Sequence, residues 1–493
     1  MSFQDLATIS PLIAAILTAC AVIVMDLIKP GSRVLAIATA YVGLAISAAL
    51  VVSVGQTPAS AFGASNTSYT VDALTTFLDL LFISIAALTI AFAPDYLLPR
   101  NLPIPEFAVV LLFAMTGAML IAASTELLLL FIGLELMVLP GYLLAGFHKT
   151  DSYSTEGAIK YFLLGSFSSA IFLFGLSFVW GLTGTTTVAG VSAALSLMVS
   201  GETPLSPGLA MGLAFMTTGV AFKIAAVPFH YWTPDAYQGS PTPVTGYLSV
   251  GPKVGAFALI IRLFGEALWP VADIWLPIVL ILSTLTMTLG NLVALTQDNV
   301  KRMLAYSSIA HTGYMLVGLA AFAAGRLDGL EGLLFYLAAY TFMNLGAFAV
   351  ISAIQKRTGV TSGLGTFAGL IRREPALAIL FTLFLLSLTG IPPTAGFFAK
   401  AYVIIAAVEA GGATSFLAVI AVLNAAVAAF YYLRVIVYMF MREPETDTPA
   451  PGHGALLWGG LAVATVLTIA LGLFPTLILG IISDAAAAVA LGH

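Results

Sequence analysis

Apolar residues occur along this chain in long continuous runs separated by short polar stretches. The runs lie at about 8–27, 34–53, 72–93, 106–122, 126–146, 157–181, 208–229, 242–264, 273–295, 300–323, 330–354, 376–408, 414–440 and 455–482. Most approach or exceed the ~20 residues that a helix needs to cross the ~30 Å hydrocarbon core of a bilayer. Because the runs are continuous and do not alternate with a period of two, they predict helices and not barrel strands. The pattern predicts an all-α integral membrane protein with about fourteen transmembrane helices; a shorter run at 186–199 is expected to lie laterally.

Proline and glycine interrupt two of the predicted spans, which are helices 7 and 12. Pro228 follows Lys223 in the first span, and Gly390-Ile391-Pro392-Pro393 precedes Lys400 in the second. A proline inside a span frees backbone groups and kinks the helix. Broken helices that line a polar cavity are typical of ion transporters, although an ordinary packing kink is the alternative. We therefore expect both helices to be broken.

Charge and composition agree with a membrane protein and favour one orientation. The chain of 493 residues is 60% hydrophobic and 8% charged, whereas a soluble domain has roughly 25% charged residues. Positive residues concentrate in alternate loops, which the positive-inside rule assigns to the cytoplasm; both termini then face the periplasm. The lysines and arginines on that predicted cytoplasmic side are Lys29, Arg33, Arg100, Lys149, Lys160, Lys301, Arg302, Lys356, Arg357, Arg372, Arg373 and Arg442.

The composition also limits the possible chemistry. A net charge of −5 gives no reason to expect nucleic acid as a partner. One cysteine, Cys20, cannot hold an iron–sulfur cluster, and the five histidines lack the spacing of a haem or zinc site. We expect no cofactor and no metal in this chain.

Four ionisable residues stand out inside the apolar spans: Glu135, Lys223, Lys253 and Lys400. A charged side chain at a helix centre costs at least ~2.5–3.5 kcal/mol on insertion scales, so its presence requires a reason. Ion pairs that pin helices together explain at most one pair, because one carboxylate cannot neutralise three lysines. Snorkelling toward the interface is a second alternative for Lys253 and Lys400. We favour proton transfer, in which movement of Glu135 changes the proton affinity of Lys223.

The spacing of these groups suggests an internal repeat. Glu135 and Lys223 are 88 residues apart, and His311 and Lys400 are 89 apart. Five helices separate the two pairs, so the two copies would be inverted, with His311 in the place of the glutamate. The resulting division is a three-helix segment at 1–100, five-helix repeats at 101–266 (helices 4–8) and 267–442 (helices 9–13), and a C-terminal helix at 443–493.

Three further residues are secondary candidates. His311 lies in the middle of a span and has the side chain most suited to proton relays, although a core histidine bonded to serine or tyrosine is the alternative. Lys160 and His230 lie near helix ends, where they are either groups at a cavity mouth or interfacial anchors.

Long stretches around these residues resemble a known family. Residues 222–237 (FKIAAVPFHYWTPDAY), 300–309 (VKRMLAYSSI) and 390–400 (GIPPTAGFFAK) resemble the antiporter-like subunits of respiratory complex I and the Mrp-type sodium/proton antiporters. Residues 238–244 (QGSPTPV) and 251–257 (GPKVGAF) look like one branch of it, the N subunits of bacterial NADH:quinone oxidoreductase. The likeness spans roughly helices 4 to 13.

The resemblance implies specific roles. The family's proton-carrying glutamate and lysines fall on Glu135, Lys223, Lys253 and Lys400, and a helix-6 lysine of the N branch falls on Lys160. Lys400 argues against the M branch, which carries glutamate there, and the end of the chain soon after helix 14 argues against the L branch with its lateral helix.

Two functions follow from the resemblance. The first is a proton-translocating membrane-arm subunit of complex I, in the bacterial inner membrane, beside another antiporter-like subunit. FMN, iron–sulfur clusters and quinone would then belong to partner subunits, and this chain would serve a translocase without redox chemistry of its own. The alternative is an Mrp-type monovalent cation/proton antiporter subunit. A structural scaffold would leave the buried charges unexplained.

Overall fold

The computed structural model describes residues 2–62, 68–200, 206–357, 359–444 and 452–490. Within these ranges the chain is almost entirely helical, and one two-stranded antiparallel hairpin, β1 (Ala59–Ala61) with β2 (Tyr69–Val71), follows the third helix. The α-helices are α1 (Phe3–Thr8), α2 (Ser10–Ile28), α3 (Arg33–Val54), α4 (Ala73–Leu97), α5 (Ile104–Ala123), α6 (Leu127–Ala145), α7 (Ser152–Thr183), α8 (Val188–Ser200), α9 (Pro207–Lys223), α10 (Trp232–Gly239), α11 (Thr242–Ile260), α12 (Ala272–Leu295), α13 (Val300–Ala323), α14 (Leu327–Ile354), α15 (Leu370–Arg373), α16 (Pro375–Thr389), α17 (Ala395–Ala410), α18 (Gly412–Met441), α19 (Ala455–Leu473) and α20 (Thr476–Ala490). The prediction of an all-α membrane protein is confirmed.

Eleven helices of the described residues are long and apolar enough to cross a membrane. Each coincides with one of the fourteen predicted spans. The other three predicted spans correspond to α9, to α13 and to the pair α16 and α17, which are shorter or more polar. These three spans contain Lys223, His311 and Lys400, so the polar chemistry lies where the apolar pattern is weakest.

Three helices form the centre of the bundle. Every residue of α11 is buried, and nearly all residues of α13 and α14 are buried as well. By contrast, α7 and α18 expose large apolar side chains along one face, such as Phe167 and Phe430. An apolar outer surface around a core that contains polar groups is the arrangement that a bilayer requires. The central helices are therefore shielded from lipid by their neighbours.

Two predicted spans are interrupted where the sequence contains helix-breaking residues. The span predicted at 208–229 ends as a helix at Lys223, and the chain continues through Ala225, which has a left-handed backbone (φ +57°), before α10 begins. The span at 376–408 divides into α16 and α17 around Gly390, whose φ of +92° favours glycine. The prediction that these two helices are broken is confirmed.

Other helix boundaries differ from the predicted ones. The last predicted span, 455–482, consists of two helices, because α19 ends at Leu473 and α20 begins at Thr476, after Pro475. The short apolar run at 186–199 forms α8, which packs against a π-helical turn at Ile261–Ala267 that follows α11.

A buried ionic cluster attaches the start of α19 to the rest of the bundle. His453 lies between two carboxylates, with Nδ1 3.1 Å from Asp95 and Nε2 2.7 Å from Glu374. Lys356 reaches the same Asp95 carboxylate at 3.2 Å. Burial alone would lower the pKa of His453, but the hydrogen bonds to Asp95 and Glu374 raise it to about 9. His453 is therefore a cation at neutral pH.

This cluster gives the protein a pH-dependent attachment of α19. The folded-state pKa of about 9 exceeds the ordinary histidine value, so the stabilisation is complete below about 6.5 and is lost as the pH rises through 9. We expect the midpoint temperature of thermal unfolding to fall as the pH rises over this range. In His453→Gln the midpoint should be lower at neutral pH and should change less with pH. The same slope in the variant and the parent would contradict the role of His453.

Candidate functional site

Four of the candidate residues lie around a single helix, α13. Lys253 and Lys400 contact α13 from α11 and α17, and His311 lies on α13 itself. Lys223 ends α9, and the carbonyl of the next residue, Ile224, accepts from Thr312 of α13. The side chains of all four are at most 5% exposed. Residues far apart in the sequence are therefore brought into one buried row.

Lys223 lies in a polar pocket between α6 and α7. Its Nζ donates to Ser169 Oγ at 2.8 Å and, over longer distances of 3.4 Å, to Tyr142 OH and the Gly165 carbonyl. These partners are neutral, and Lys223 forms no ion pair within the described part of the chain. The pocket thus solvates the ammonium without neutralising it, so gain or loss of its proton changes the local charge.

Glu135 lies on the same face of α6 as Tyr142, because seven residues make about two helical turns. Its Oε1 is buried and has no hydrogen-bond partner in the structure. The carboxylate forms no salt bridge with Lys223, although Tyr142, on the same face of α6, is a hydrogen-bond partner of that lysine. Glu135 and Lys223 therefore lie near the same pocket without forming a salt bridge. A small movement of either side chain would change the Coulomb energy between them.

Lys253 is held by two side chains from consecutive turns of α13. Its Nζ donates to Ser308 Oγ at 2.6 Å, to the Ser308 carbonyl at 2.5 Å and to Thr312 Oγ1 at 2.9 Å. Snorkelling is excluded for this lysine, since its side chain is 1% exposed and its ammonium ends inside the bundle.

A hydroxyl connects the surroundings of Lys253 to the break after Lys223. Thr312 Oγ1 accepts from Lys253 and donates to the carbonyl of Ile224 at 2.9 Å, and Ile224 is the residue that follows Lys223. The interrupted end of α9 therefore supplies a free carbonyl to the row. The helix break thus provides a hydrogen-bond acceptor for a side chain of α13.

His311 lies between two tyrosines. Its Nδ1 is 2.7 Å from Tyr336 OH and its Nε2 is 3.2 Å from Tyr432 OH, which also bonds to Ser307. Both ring nitrogens are engaged with hydroxyls, and each hydroxyl can donate or accept. Exchange of tautomers can therefore pass a proton across the ring. The bonded-histidine alternative describes the same contacts, so the role of His311 as a relay stays a prediction.

Lys400 occupies the second helix break. Its Nζ donates to the carbonyls of Leu388 and Thr389, at 3.0 and 2.8 Å, which are left free where α16 ends. The ammonium also lies 4.9 Å from the ring centroid of Tyr314 on α13, a cation–π distance. Gly390 gives the lysine room, because a Cβ there would lie 3.0 Å from its Cδ.

Lys160 and His230 lie outside this row. Lys160 is 43% exposed and pairs with Glu156 and Asp235, at 2.6 and 2.7 Å, in a cluster that also contains Arg302. His230 stacks on Tyr231 and faces the edge of Tyr306. Of the two readings of these residues, the ion pairs of Lys160 favour an anchor near the helix end.

The structure adds a polar cavity that sequence reasoning missed. A cavity of about 490 Å³ is lined by Arg100, His148, Asp151 and Lys301, among others, on the side predicted to face the cytoplasm. Lys301 is 3% exposed and donates to the carbonyls of Gln238 and Ser240. The sequence analysis used Lys301 only as one of the loop charges that set the orientation of the protein in the membrane. A sequence signal for its burial was available, because Lys301 lies two helical turns before Ser308 and therefore on the same face of α13.

The row consists of groups that can exchange or relay protons. Within the described ranges no group of three or more histidine, cysteine, aspartate or glutamate side chains could hold a metal ion. Amines, an imidazole and hydroxyls instead follow one another along α13. Such a buried row between broken helices defines a polytopic membrane protein of the proton-transporting, antiporter-like class.

Comparison with known proteins agrees with this class. Residues 124–426 match the family model described as NADH:quinone oxidoreductase/Mrp antiporter, TM. NADH-quinone oxidoreductase subunit N 1 of Koribacter versatilis is 43% identical, over 94% of this chain and 92% of that protein. The chain belongs to the family of NADH-quinone oxidoreductase N subunits.

Solved structures show the same fold. A chain of respiratory complex I from Thermus thermophilus with bound aureothin matches with a TM-score of 0.79 and 32% identity, over 95% of this chain and 98% of that one. A chain of the Mrp complex from Dietzia sp. DQ12-45-1b matches with a TM-score of 0.81 at 24% identity, over 99% and 97% of the two chains. The second likeness shows the fold alone.

Proposed function

We propose that this protein is a proton-translocating subunit of the membrane arm of NADH:quinone oxidoreductase. The observation that carries the proposal is the row of Lys223, Lys253, His311 and Lys400 around α13, in a chain 43% identical to a curated N subunit. Proton transfer needs groups that exchange protons and hydroxyls beside them, and Lys223, Lys253 and His311 each have a hydroxyl as a hydrogen-bond partner.

In this proposal each residue has a distinct role. Protons enter from the polar cavity near Lys301, and Lys223 is the first switching site, biased by Glu135. Lys253 is the next carrier, and Thr312 fixes its place beside the break after Lys223, because this hydroxyl accepts from Lys253 and donates to the Ile224 carbonyl. His311 then relays it toward Lys400 at the second break. Lys160 and His230 are secondary and lie beside the entry.

The topology is part of the same proposal. Eleven apolar helices together with α9, α13 and the α16–α17 pair give fourteen crossings, with both termini in the periplasm. The two breaks, at Lys223 and at Gly390, fall at corresponding places in the proposed inverted repeats at 101–266 and 267–442. Each break supplies free carbonyls to a lysine-containing pocket, which supports the repeat.

Partners follow from the relatives. The complex from Thermus thermophilus is a respiratory complex I, and we propose other membrane-arm subunits, including another antiporter-like one, as the partners of this chain in a bacterial inner membrane. FMN, iron–sulfur clusters and quinone would reside in those partners, and their redox energy would reach this chain through conformational or electrostatic change at Glu135.

The experiment that tests the function is purification of the tagged chain from its native membrane. We expect flavin- and iron–sulfur-containing subunits to co-purify, and we expect NADH-dependent quinone reduction in that preparation. Recovery with hydrophobic subunits alone, together with cation/proton exchange that needs no NADH, would instead establish the Mrp-type antiporter.

A further inference from the structure

A second buried group of charges lies away from the row, toward the end of the bundle predicted to face the periplasm. We name it the outer cluster and define it as Asp72, Asp79, Arg262 and Glu266. Asp72 caps the start of α4, Asp79 lies two turns into α4, and the other two lie in the π-helical turn after α11. Asp79 and Arg262 are each 2% exposed, and Glu266 is 8% exposed.

Arg262 binds two of the three carboxylates. Its Nη2 lies 2.8 Å from Asp72 and its Nη1 lies 2.6 Å from Glu266. The same guanidinium donates to Thr75 Oγ1 at 3.0 Å and to the Ala122 carbonyl at 2.9 Å. Four of its five N–H donors are thus used, and the remaining one is on Nη1.

Asp79 is the carboxyl that Arg262 does not bind. Its Oδ1 is buried and has no hydrogen-bond partner, and the hydroxyl of Tyr69, also buried, has none either. Tyr69 lies in β2, which packs against the same helix, α4, that carries Asp79. A buried carboxyl oxygen without a hydrogen-bond partner makes the ionised form of Asp79 costly.

Charge counting identifies the state of this carboxyl. With all three carboxylates ionised the outer cluster would have a net charge of −2, which is costly to bury. Asp72 is stabilised by Arg262 and by the N–H and hydroxyl of Thr75, and Glu266 by Arg262. The proton that reduces the charge therefore belongs on Asp79.

From this geometry we infer that Asp79 is a further proton-carrying residue, which releases its proton to water on the periplasmic side. When the free Nη1 donor of Arg262 turns toward Asp79, the ionised carboxylate gains a partner and the proton passes to a water molecule. When that Nη1 donor turns away again, Asp79 takes up the next proton, which in this proposal comes from the row and not from the periplasmic water. This inference rests on the proposed function and adds an outward group to it.

The titratable groups around this part of α4 include Tyr69 on β2, Asp72 at the start of α4, and Arg262 and Glu266 after α11. The helix α14 also packs on α4 and carries Asp328 and Glu331 near its start. The helix α20 also packs on α4, but its aspartate, Asp484, is exposed. Asp484 therefore offers a matched control carboxyl.

The test is infrared difference spectroscopy of the purified complex with isotope-labelled aspartate, together with the ratio of protons pumped to electrons transferred. We expect a protonated-carboxyl C=O band that is absent in Asp79→Asn and present in Asp484→Asn. We also expect Asp79→Asn to lower the proton-to-electron ratio while uncoupled NADH oxidation is retained.

Two results would overturn the inference. One is a spectrum of the unmodified complex in which every labelled aspartate is ionised, which needs no variant to fold. The other is a band that disappears in Asp79→Asn while the ratio stays at the parental value, because the proton would then be static. Both readings are distinct from failure of the proposed function, since the infrared band reports Asp79 in whatever complex the chain belongs to.

Discussion

Replacement of Lys223 by alanine is expected to abolish proton pumping through this subunit while the complex still assembles. The ammonium is solvated by Ser169, Tyr142 and a backbone carbonyl, and without it no group in that pocket takes up a proton. A charge at this depth of the membrane costs at least ~2.5–3.5 kcal/mol when no side chain binds the proton. The rate of proton transfer through the pocket should therefore fall by about a hundredfold or more. The ratio of protons pumped to electrons transferred in proteoliposomes measures this loss.

Lys223→Arg separates a proton carrier from a fixed charge. Arginine stays protonated under all relevant conditions, so it keeps the charge near Glu135 but cannot release a proton. We expect Lys223→Arg to pump as poorly as the alanine variant, and Lys149→Ala, which removes an exposed lysine, to match the parent. Normal pumping by either Lys223 variant would remove this residue from the path.

The apolar pattern alone predicts most of the membrane-spanning helices, but it does not predict where α9 ends, which is at the functional candidate Lys223. Eleven spans could be predicted because lipid leaves a continuous run no alternative to a helix. Pro228 predicted that the span 208–229 is broken, but the exact end of α9 at Lys223 could not be predicted, because hydropathy continues to residue 229 and that end depends on Ala225 and on a bond to α13. Proline and glycine indicate that a helix breaks, but the residue at which it ends is set by tertiary contacts that one sequence does not display.

The site was predictable by residue type and not by partner. A charge inside an apolar run is visible in the sequence, which is how Glu135 and the three lysines were identified. Asp79 met the same criterion within the predicted span 72–93 and was overlooked. The contacts of Lys253 with Ser308 and Thr312 cross more than fifty residues. Only the packing of α11 against α13 reveals them.

Lys400 presents the sharpest choice between a structural and a functional role. Its bonds to the carbonyls of Leu388 and Thr389 are those of a helix-end cap, because cations near the last turn stabilise a helix by about 0.3–1 kcal/mol. A cap needs donors and charge but no proton exchange. The position of the same ammonium beside Tyr314, next to His311, is instead what the end of a proton row requires.

Two substitutions distinguish these roles. Lys400→Gln keeps donors for the carbonyls and removes the charge, whereas Lys400→Arg keeps the charge and removes proton release. A cap would be largely preserved by arginine, so parental pumping in Lys400→Arg would show that Lys400 is structural. We expect both variants to assemble and to lose pumping by about the same factor as Lys223→Ala, with thermal stability close to the parent in Lys400→Arg. Loss of function without loss of stability is the combination that a residue exchanging protons must show, because its contribution lies in the change of charge and not in the bonds it makes at rest.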